Sequence, residues 1–364
     1  AAAPLREPES LTARVGARAE KPGDRIGPYT LVDVLGEGGF GIVFLARQVD
    51  PVRRDLAVKV LRPGMDSAAV LARFDAERQA LARLAHPSIA RIYDAGVAPS
   101  GRPFFAMELV EGYPITDFCD AHLLDVRQRL ELFVRVCLAV QHAHNKGIIH
   151  RDLKPSNILV TLADEEPEPK IIDFGIAKAT DEPLTDKSVI TLARQLVGTP
   201  RYMSPEQASL DPAAVDARSD LYSLGVVLYE LLSGSTPLSD DRIRDLGVTG
   251  LHEALVRGEF HKPSTRLTTI DEPAAQAIAR RRGESIERLR ETLRNDLDWI
   301  VMRAIEPDPA RRYPTAFALA RDIERYLAGQ PVEARPPSRV YLARKFARRH
   351  RAGVAGAMLV LIAL

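Results

Sequence analysis

The chain has 364 residues, enough for a two-lobed domain with flanking segments, and its 50 Lys+Arg against 49 Asp+Glu leave no global electrostatic case for a nucleic-acid partner. Two cysteines, Cys119 and Cys137, are too few for a disulfide framework or a zinc site, so free buried thiols in a reducing compartment are expected. The chain opens Ala-Ala-Ala-Pro without Met or a visible secretory signal, and its true N-terminus is expected upstream.

Residues 1–25, rich in Ala, Arg, Pro and Glu without a period, read as a flexible leader. From Tyr29 the texture changes to β-type runs, Tyr29–Leu35 and Gly41–Ala46, separated by a glycine cluster as in a hairpin, with a third strand over Asp55–Leu61. Helical spacing follows over Ala68–Leu84, then two further strands over Ile89–Gly96 and Phe104–Val110. Beyond Gly112 the pattern is mainly helical. Val126–Lys146 is a long amphipathic segment, and Ser219–Gly234 is apolar nearly all round, the mark of a buried helix. Residues 271–298 are charged and helical, and the triplet Arg280-Arg281-Arg282 reads as a solvated face. Residues 329–351 form a Pro/Arg-rich linker that ends in the basic cluster Arg344–Arg351. The 13 residues 352–364 are then all small or apolar, a positive-inside pattern expected of a truncated membrane span.

Gly36-Glu37-Gly38-Gly39-Phe40-Gly41-Ile42-Val43 fits G-x-G-x-x-G-x-V, where glycines let backbone N–H groups approach phosphates. A hairpin turn also wants glycine. Strands on both sides, with no helix following, disfavour a dinucleotide fingerprint. Eighteen residues on, Lys59 ends the run Leu-Ala-Val-Lys. The sharpest signal is His150-Arg151-Asp152-Leu153-Lys154-Pro155-Ser156-Asn157, followed sixteen residues past its end by Asp173-Phe174-Gly175. A hydroxyl attacking the terminal phosphate of ATP needs a carboxylate to orient it and take its proton. The phosphates need hard cations, held by oxygen ligands. Asp152 suits the first task, Asn157 and Asp173 the second.

On these motifs the chain resembles the bacterial membrane-anchored, eukaryotic-like (Hanks-type) serine/threonine protein kinases over residues 29 to about 328. The resemblance implies an α+β, bilobal protein-kinase-like fold, with a small β-rich N-lobe over 26–110 and a larger, mostly helical C-lobe over 113–328. It implies ATP with Mg2+ (or Mn2+) as cofactors. Leu35 and residues 36–43 would cover the phosphates. Val43, Ala57 and Leu159 would sandwich the adenine. Met107 would be the gatekeeper, and Glu108-Leu109-Val110 the hinge. Lys59 would reach the α- and β-phosphates, fixed by Glu77 rather than Asp75. Asp152 would be the base, Lys154 the charge-neutralising group, Asn157 and Asp173 the metal ligands, and Thr199 a hydrogen-bonding neighbour of Asp152.

The resemblance also pairs Glu206 of Ser204-Pro205-Glu206, where the family usually has Ala-Pro-Glu, with Arg312, and makes Asp220 the anchor of the catalytic loop. Arg151 beside Asp152 suggests control by activation-loop phosphorylation, at Thr191 first and Ser188 second among Thr180, Thr185, Ser188, Thr191 and Thr199. The implied partners are proteins with Ser/Thr hydroxyls, a membrane reached through a single C-terminal span with the kinase domain on the cytoplasmic side of the inner membrane, and a homodimer. The rivals are a pseudokinase scaffold, which usually loses the equivalent of Lys59, Asp152 or Asp173, and a small-molecule phosphotransferase, which typically lacks the Gly-Thr-Pro and Ser-Pro-Glu segments.

Overall fold

The computed structural model describes residues 19–38, 41–61, 81, 83–174, 200–209 and 214–349, apart from the side chains of 248, 249, 344 and 346–349. Gly39, Phe40, Glu77, Thr199, the activation-loop hydroxyls, most of the Ala68–Leu84 segment and residues 352–364 lie outside them. The chain divides into two compact units, 1–75 with 92–109 and 76–91 with 110–364.

The first unit is built on one antiparallel sheet: β1 Arg25–Ile26, β2 Tyr29–Gly38, β3 Gly41–Gln48, β4 Arg54–Leu61, β5 Ile92–Val97 and β6 Pro103–Met107, in the order β1-β2-β3-β4-β6-β5. Alternation decides which side chains make its core. Phe44, Val58 and Ala106 face one another across β3, β4 and β6, and with Ala46, Leu56, Val60, Phe104, Tyr29, Leu31 and Ile26 they form one buried cluster. The last two strands lie a little apart from the sequence expectation. Pairing begins at Ile92 rather than Ile89 and stops at Met107 rather than Val110.

The leader expected over 1–25 is shorter than its composition suggests. Glu20 forms a buried ion pair with Arg102. Gly23 N–H donates to the Leu31 carbonyl at 2.8 Å and Leu31 N–H to that of Asp24 at 2.9 Å, so this stretch is built onto the sheet.

The second unit holds a small sheet, β7 Tyr113–Pro114, β8 Ile158–Ala163 and β9 Glu166–Ile171, and ten described helices. These are α1 Ile115–Ala121, α2 Val126–His144, α3 Ala217–Ser233, α4 Asp240–Arg257 (broken at Gly247), α5 Pro263–Thr269, α6 Glu272–Arg280, α7 Ile286–Leu293, α8 Asp296–Ala304, α9 Ala316–Leu327 and α10 Arg339–Arg349. Residues 76–91 go with this unit, and Ile89 bridges Ile171. Ala90 N–H donates to the Ile171 carbonyl at 2.9 Å, and Ile171 N–H to that of Ser88 at 2.9 Å. Local chemistry sets the helix bounds. A reciprocal capping box of Asp125 and Gln128 starts α2, and α3 begins at Asp216 and ends at Gly234, whose φ of 72° suits a residue without Cβ.

Two stretches differ from their compositional reading. The charged stretch 271–298 is three helices, and Arg282 is buried rather than solvated. Its guanidinium and that of buried Arg129 both donate to the Leu231 carbonyl, at 2.8 and 3.3 Å, in the last turn of α3. Orphan carbonyls and the negative end of the helix dipole welcome cations there. Asp120 supplies the counter-charge, 2.8 Å from Arg129. Burial and Arg129 push the Arg282 pKa down to about 9, so it stays charged at neutral pH. The supposed linker is also engaged, since Val332 and Tyr341 are buried against the unit. Both cysteines are buried and free, and burial pushes the Cys119 thiol up to about 11.

Candidate active site

In the first unit, register puts the nucleotide-side candidates on one face. Antiparallel partners point the same way, as do residues two apart on a strand. Val43 lies opposite Lys59 and Ala57 opposite Met107, so these four share the face turned away from the Phe44–Val58 core. Lys59, Ala57 and Met107 are each buried. Leu35, Gly36, Glu37 and Gly38 occupy the end of β2, with Gly38 paired to Gly41 and Glu37 to Ile42. Glu108 follows β6 directly, and Val110 opens the long segment of the second unit.

The glycines there are unequal. A Cβ on Gly41 would collide with the Val60 carbonyl oxygen, so the sheet itself demands glycine at that position. A Cβ on Gly36 or Gly38 would meet nothing within 4 Å among the described residues. Among the described residues their missing side chains serve no packing, which leaves room for phosphates to approach the backbone.

In the second unit the loop His150–Asn157 is organised by a buried carboxylate. Asp220, on the first turn of α3, accepts from the backbone N–H of His150 and of Arg151 and from His144 Nε2, all at 2.8 Å. An ionised carboxylate only accepts, so the His144 proton sits on Nε2. Burial works to raise the Asp220 pKa, but the His144 hydrogen bond and the His150 backbone hold it below the usual carboxylate range.

The Asp220 contacts hold Arg151 at φ 68°, a conformation that side chains with a Cβ seldom adopt. Asp173, at the other end of the site, has φ 64°. Between them, His150 Nε2 donates to the Ile172 carbonyl at 3.0 Å and its Nδ1 accepts from Asp152 N–H at 3.3 Å. The His150 ring lies 4.7 Å from that of Phe174, centroid to centroid. His150 therefore ties the Asp152 loop to the Asp173 segment.

Asp152 itself is accessible, with 24% of its side chain exposed. Lys154 Nζ is 2.8 Å from its Oδ2. Asn157 Nδ2 donates to its backbone carbonyl at 2.8 Å and to Oδ2 at 3.1 Å. With Nδ2 turned to Asp152, Oδ1 is the Asn157 atom that a cation would meet. Asp173 follows Ile172, whose N–H donates to the Asn157 carbonyl at 3.0 Å. Asn157 and Asp173 thus each have a side-chain oxygen, the donor type that magnesium takes. Leu159 lies on β8, opposite Lys170. Thr199, Glu77, Gly39 and Phe40 fall outside the described residues.

Glu206 meets Arg312 through two bonds, 2.6 and 2.8 Å, in full burial, and Ser219 Oγ adds a third at 2.7 Å. Arg312 also caps the carbonyls of Glu306, Pro307 and Arg218, so its donors are well used. Sequence reasoning missed Gln207, whose Nε2 donates to the Arg151 carbonyl at 2.6 Å, and missed His144. Neither has a local signal, because each partner lies more than fifty residues away in the chain.

The comparisons with known proteins agree with this geometry. A profile described as the protein kinase domain matches residues 29–319. Serine/threonine-protein kinase PknB of Mycobacterium leprae is 38% identical over 312 residues, which are 84% of this chain and 44% of that protein. The same-named kinase of Mycobacterium tuberculosis is 37% identical over an equal span, with equal coverage of both chains. Serine/threonine-protein kinase pkn3 of Myxococcus xanthus is 35% identical over 81% of this chain and 49% of its own length. The chain thus spans less than half the length of these relatives. Among solved structures, the kinase domain of PknI from M. tuberculosis superposes with a TM-score of 0.56 at 24% identity, covering 85% of this chain and all of that one, which speaks for the fold. A β-rich unit carrying Lys59, a helical unit carrying Asp152, Asn157 and Asp173, and a family match across both make this chain a member of the protein kinase family.

Proposed function

We propose that this chain transfers the γ-phosphoryl group of ATP to Ser and Thr hydroxyls of proteins. The observation that carries the reading is Asp152, accessible yet fixed by Lys154 and Asn157 on a loop tied down by Asp220. In the reaction Asp152 orients the substrate hydroxyl and takes its proton as the oxygen bonds to phosphorus. The bond from the γ-phosphorus to the bridging oxygen breaks, and ADP leaves. Lys154 offsets charge on the transferred group, and Lys59 holds the α- and β-phosphates. Asn157 and Asp173 would hold Mg2+ (Mn2+ serving in its place), which supplies neutralisation of phosphate charge. Glu77 would fix Lys59, and Thr199 would hydrogen-bond near Asp152.

The names of the similar kinases favour Ser/Thr over Tyr as acceptor. The finer reading is a membrane-linked, self-phosphorylating signalling kinase, capable of forming a homodimer. Its activation-loop sites would be Thr191 and then Ser188, with residues 352–364 entering the bilayer and the kinase domain on the cytoplasmic side. The basic run 344–351 next to an uncharged run supports this.

The test is phosphate transfer by the chain with Mg-ATP and a generic basic protein, beside Asp152→Asn, with phosphorylated residues located by mass spectrometry. Phosphoserine and phosphothreonine that depend on Asp152 are expected. ATP binding without transfer by the unsubstituted chain would sink the reading.

A further inference from the structure

Residues 329–349 lie past the end of the family match at 319 and are nevertheless sewn to the second unit. Asp322 on α9, fully buried, accepts from the backbone N–H of Glu333 at 2.5 Å and of Ala334 at 2.9 Å, and from Tyr313 Oη at 2.7 Å. Asp296, at the start of α8, pairs with Arg335 at 3.3 Å and with Lys345 at 2.7 Å. The buried Tyr341 hydroxyl accepts from Val332 N–H at 3.0 Å. The strap is therefore held near both its ends, and α10 keeps a set position on the unit rather than swinging on a tether.

The sequence of α10 and of the residues after it has a specific chemistry. No Asp or Glu occurs from residue 334 to 364, while Arg339, Arg344, Arg348, Arg349 and Arg351 crowd one short stretch, beside the Lys345 spent on Asp296. Among these cations stand two exposed apolar side chains, Val340 at 78% and Leu342 at 43%. Cations with apolar groups on a helix that leads into an uncharged run fit a surface with negative headgroups over hydrocarbon. A nucleic acid would use the cations but gain nothing from Val340 and Leu342. We propose that α10 is a docking surface for an anionic lipid bilayer, presented at a fixed orientation by the strap anchored on Asp322 and Asp296. The proposal rests on the membrane-linked reading for the bilayer's presence, and on the strap alone for the surface.

The experiment floats the full 364-residue chain with vesicles of phosphatidylcholine, and with vesicles in which phosphatidylglycerol makes up about a third of the lipid. The expected result is partition into anionic vesicles at least about tenfold above that into neutral ones at low salt, shrinking as salt rises. The triple variant Arg339→Gln, Val340→Gln, Leu342→Gln should lose most of that excess. All three positions are exposed, so its melting temperature should match that of the parent chain. Equal partition into both vesicle types, or an excess untouched by the triple variant, would overturn the α10 surface while leaving insertion of 352–364 standing. Partition into neither would overturn both readings.

Discussion

Two carboxylates serve the same loop in opposite ways. Asp220 has no exposed surface and three N–H donors at 2.8 Å. Asp152, inside that loop, is a quarter exposed and held from one side by an ammonium and an amide. A carboxylate saturated with donors is a fixed point and has lost its basicity. A carboxylate held by two groups and open to solvent keeps an oxygen for an incoming proton. The strained φ of Arg151, next to both, is what the fixed point sustains so that the open one is aimed.

The widest separation of the two should come from Asp152→Asn. Losing a general base costs about 10²–10⁴-fold in rate, and the half-open site tolerates an isosteric amide. Phosphate transfer should fall by that factor while the thermal melting curve stays in place. A melting curve that collapsed with the rate would show that Asp152 is a second scaffold and erase the distinction.

Asp220→Ala should do the reverse, acting first on the fold. It strands the His150 and Arg151 N–H groups and His144 in a dry interior, and removing one side of a buried charged network costs about 3–5 kcal/mol. Urea unfolding should show the loss, and a change below about 1 kcal/mol would mean the loop is held by other contacts, such as Gln207 on the Arg151 carbonyl.

The parts of this arrangement that sequence exposes are those packed into short spacing by chemistry. Asp152, Lys154 and Asn157 lie within six residues because one loop must present them to one phosphoryl group, and Asp173 closes the pattern. Asp220 and the Glu206–Arg312 pair were accessible only through resemblance, since a carboxylate on an apolar helix does not announce its donors. Arg282 misled because charge predicts solvent. Its burial depends on the end of α3, fifty residues earlier in the chain. The strap misled because Pro, Ala and Arg carry no period. Asp322 meets backbone N–H groups there, which leave no mark on side-chain composition.

Acid titration sharpens the comparison further. Asp220 and Glu206 both have folded-state pKa values held below the ordinary carboxylate range despite burial, by His144 and by Arg312 respectively. Between the folded and unfolded values the unfolded chain binds more protons, so stability rises with pH there. Their contribution is complete only above the unfolded values, by about pH 5–6, and disappears as pH falls through the lower folded values. Glu230 and Asp298, raised by burial, act with the opposite sign and lose stability as pH rises through their range. Urea midpoints followed into acid should fall less steeply for Asp220→Asn than for the unsubstituted chain. Parallel curves would assign the acid limb to Glu206 and other groups.

The smallest expected effect tests whether the strap follows the rule of Asp220 on a smaller scale. Tyr341→Phe keeps the ring under the Arg335 guanidinium, 4.3 Å away, and removes the hydroxyl that accepts from buried Val332 N–H and meets the Asp296 carboxylate. The loss should cost about 1 kcal/mol, since the Val332 donor is left unpaired while Asp296 keeps Arg335 and Lys345, so no charge is stranded. Amide exchange at Val332 should quicken roughly fivefold, and that of Glu333 and Ala334 by less, because Asp322 still holds them. Strands β3 and β4, in the other unit, should exchange as before. Unchanged exchange at Val332 would mean that the carboxylate of Asp322 alone fixes the strap, making it a second instance of a saturated buried acid positioning a backbone that the sequence leaves unmarked.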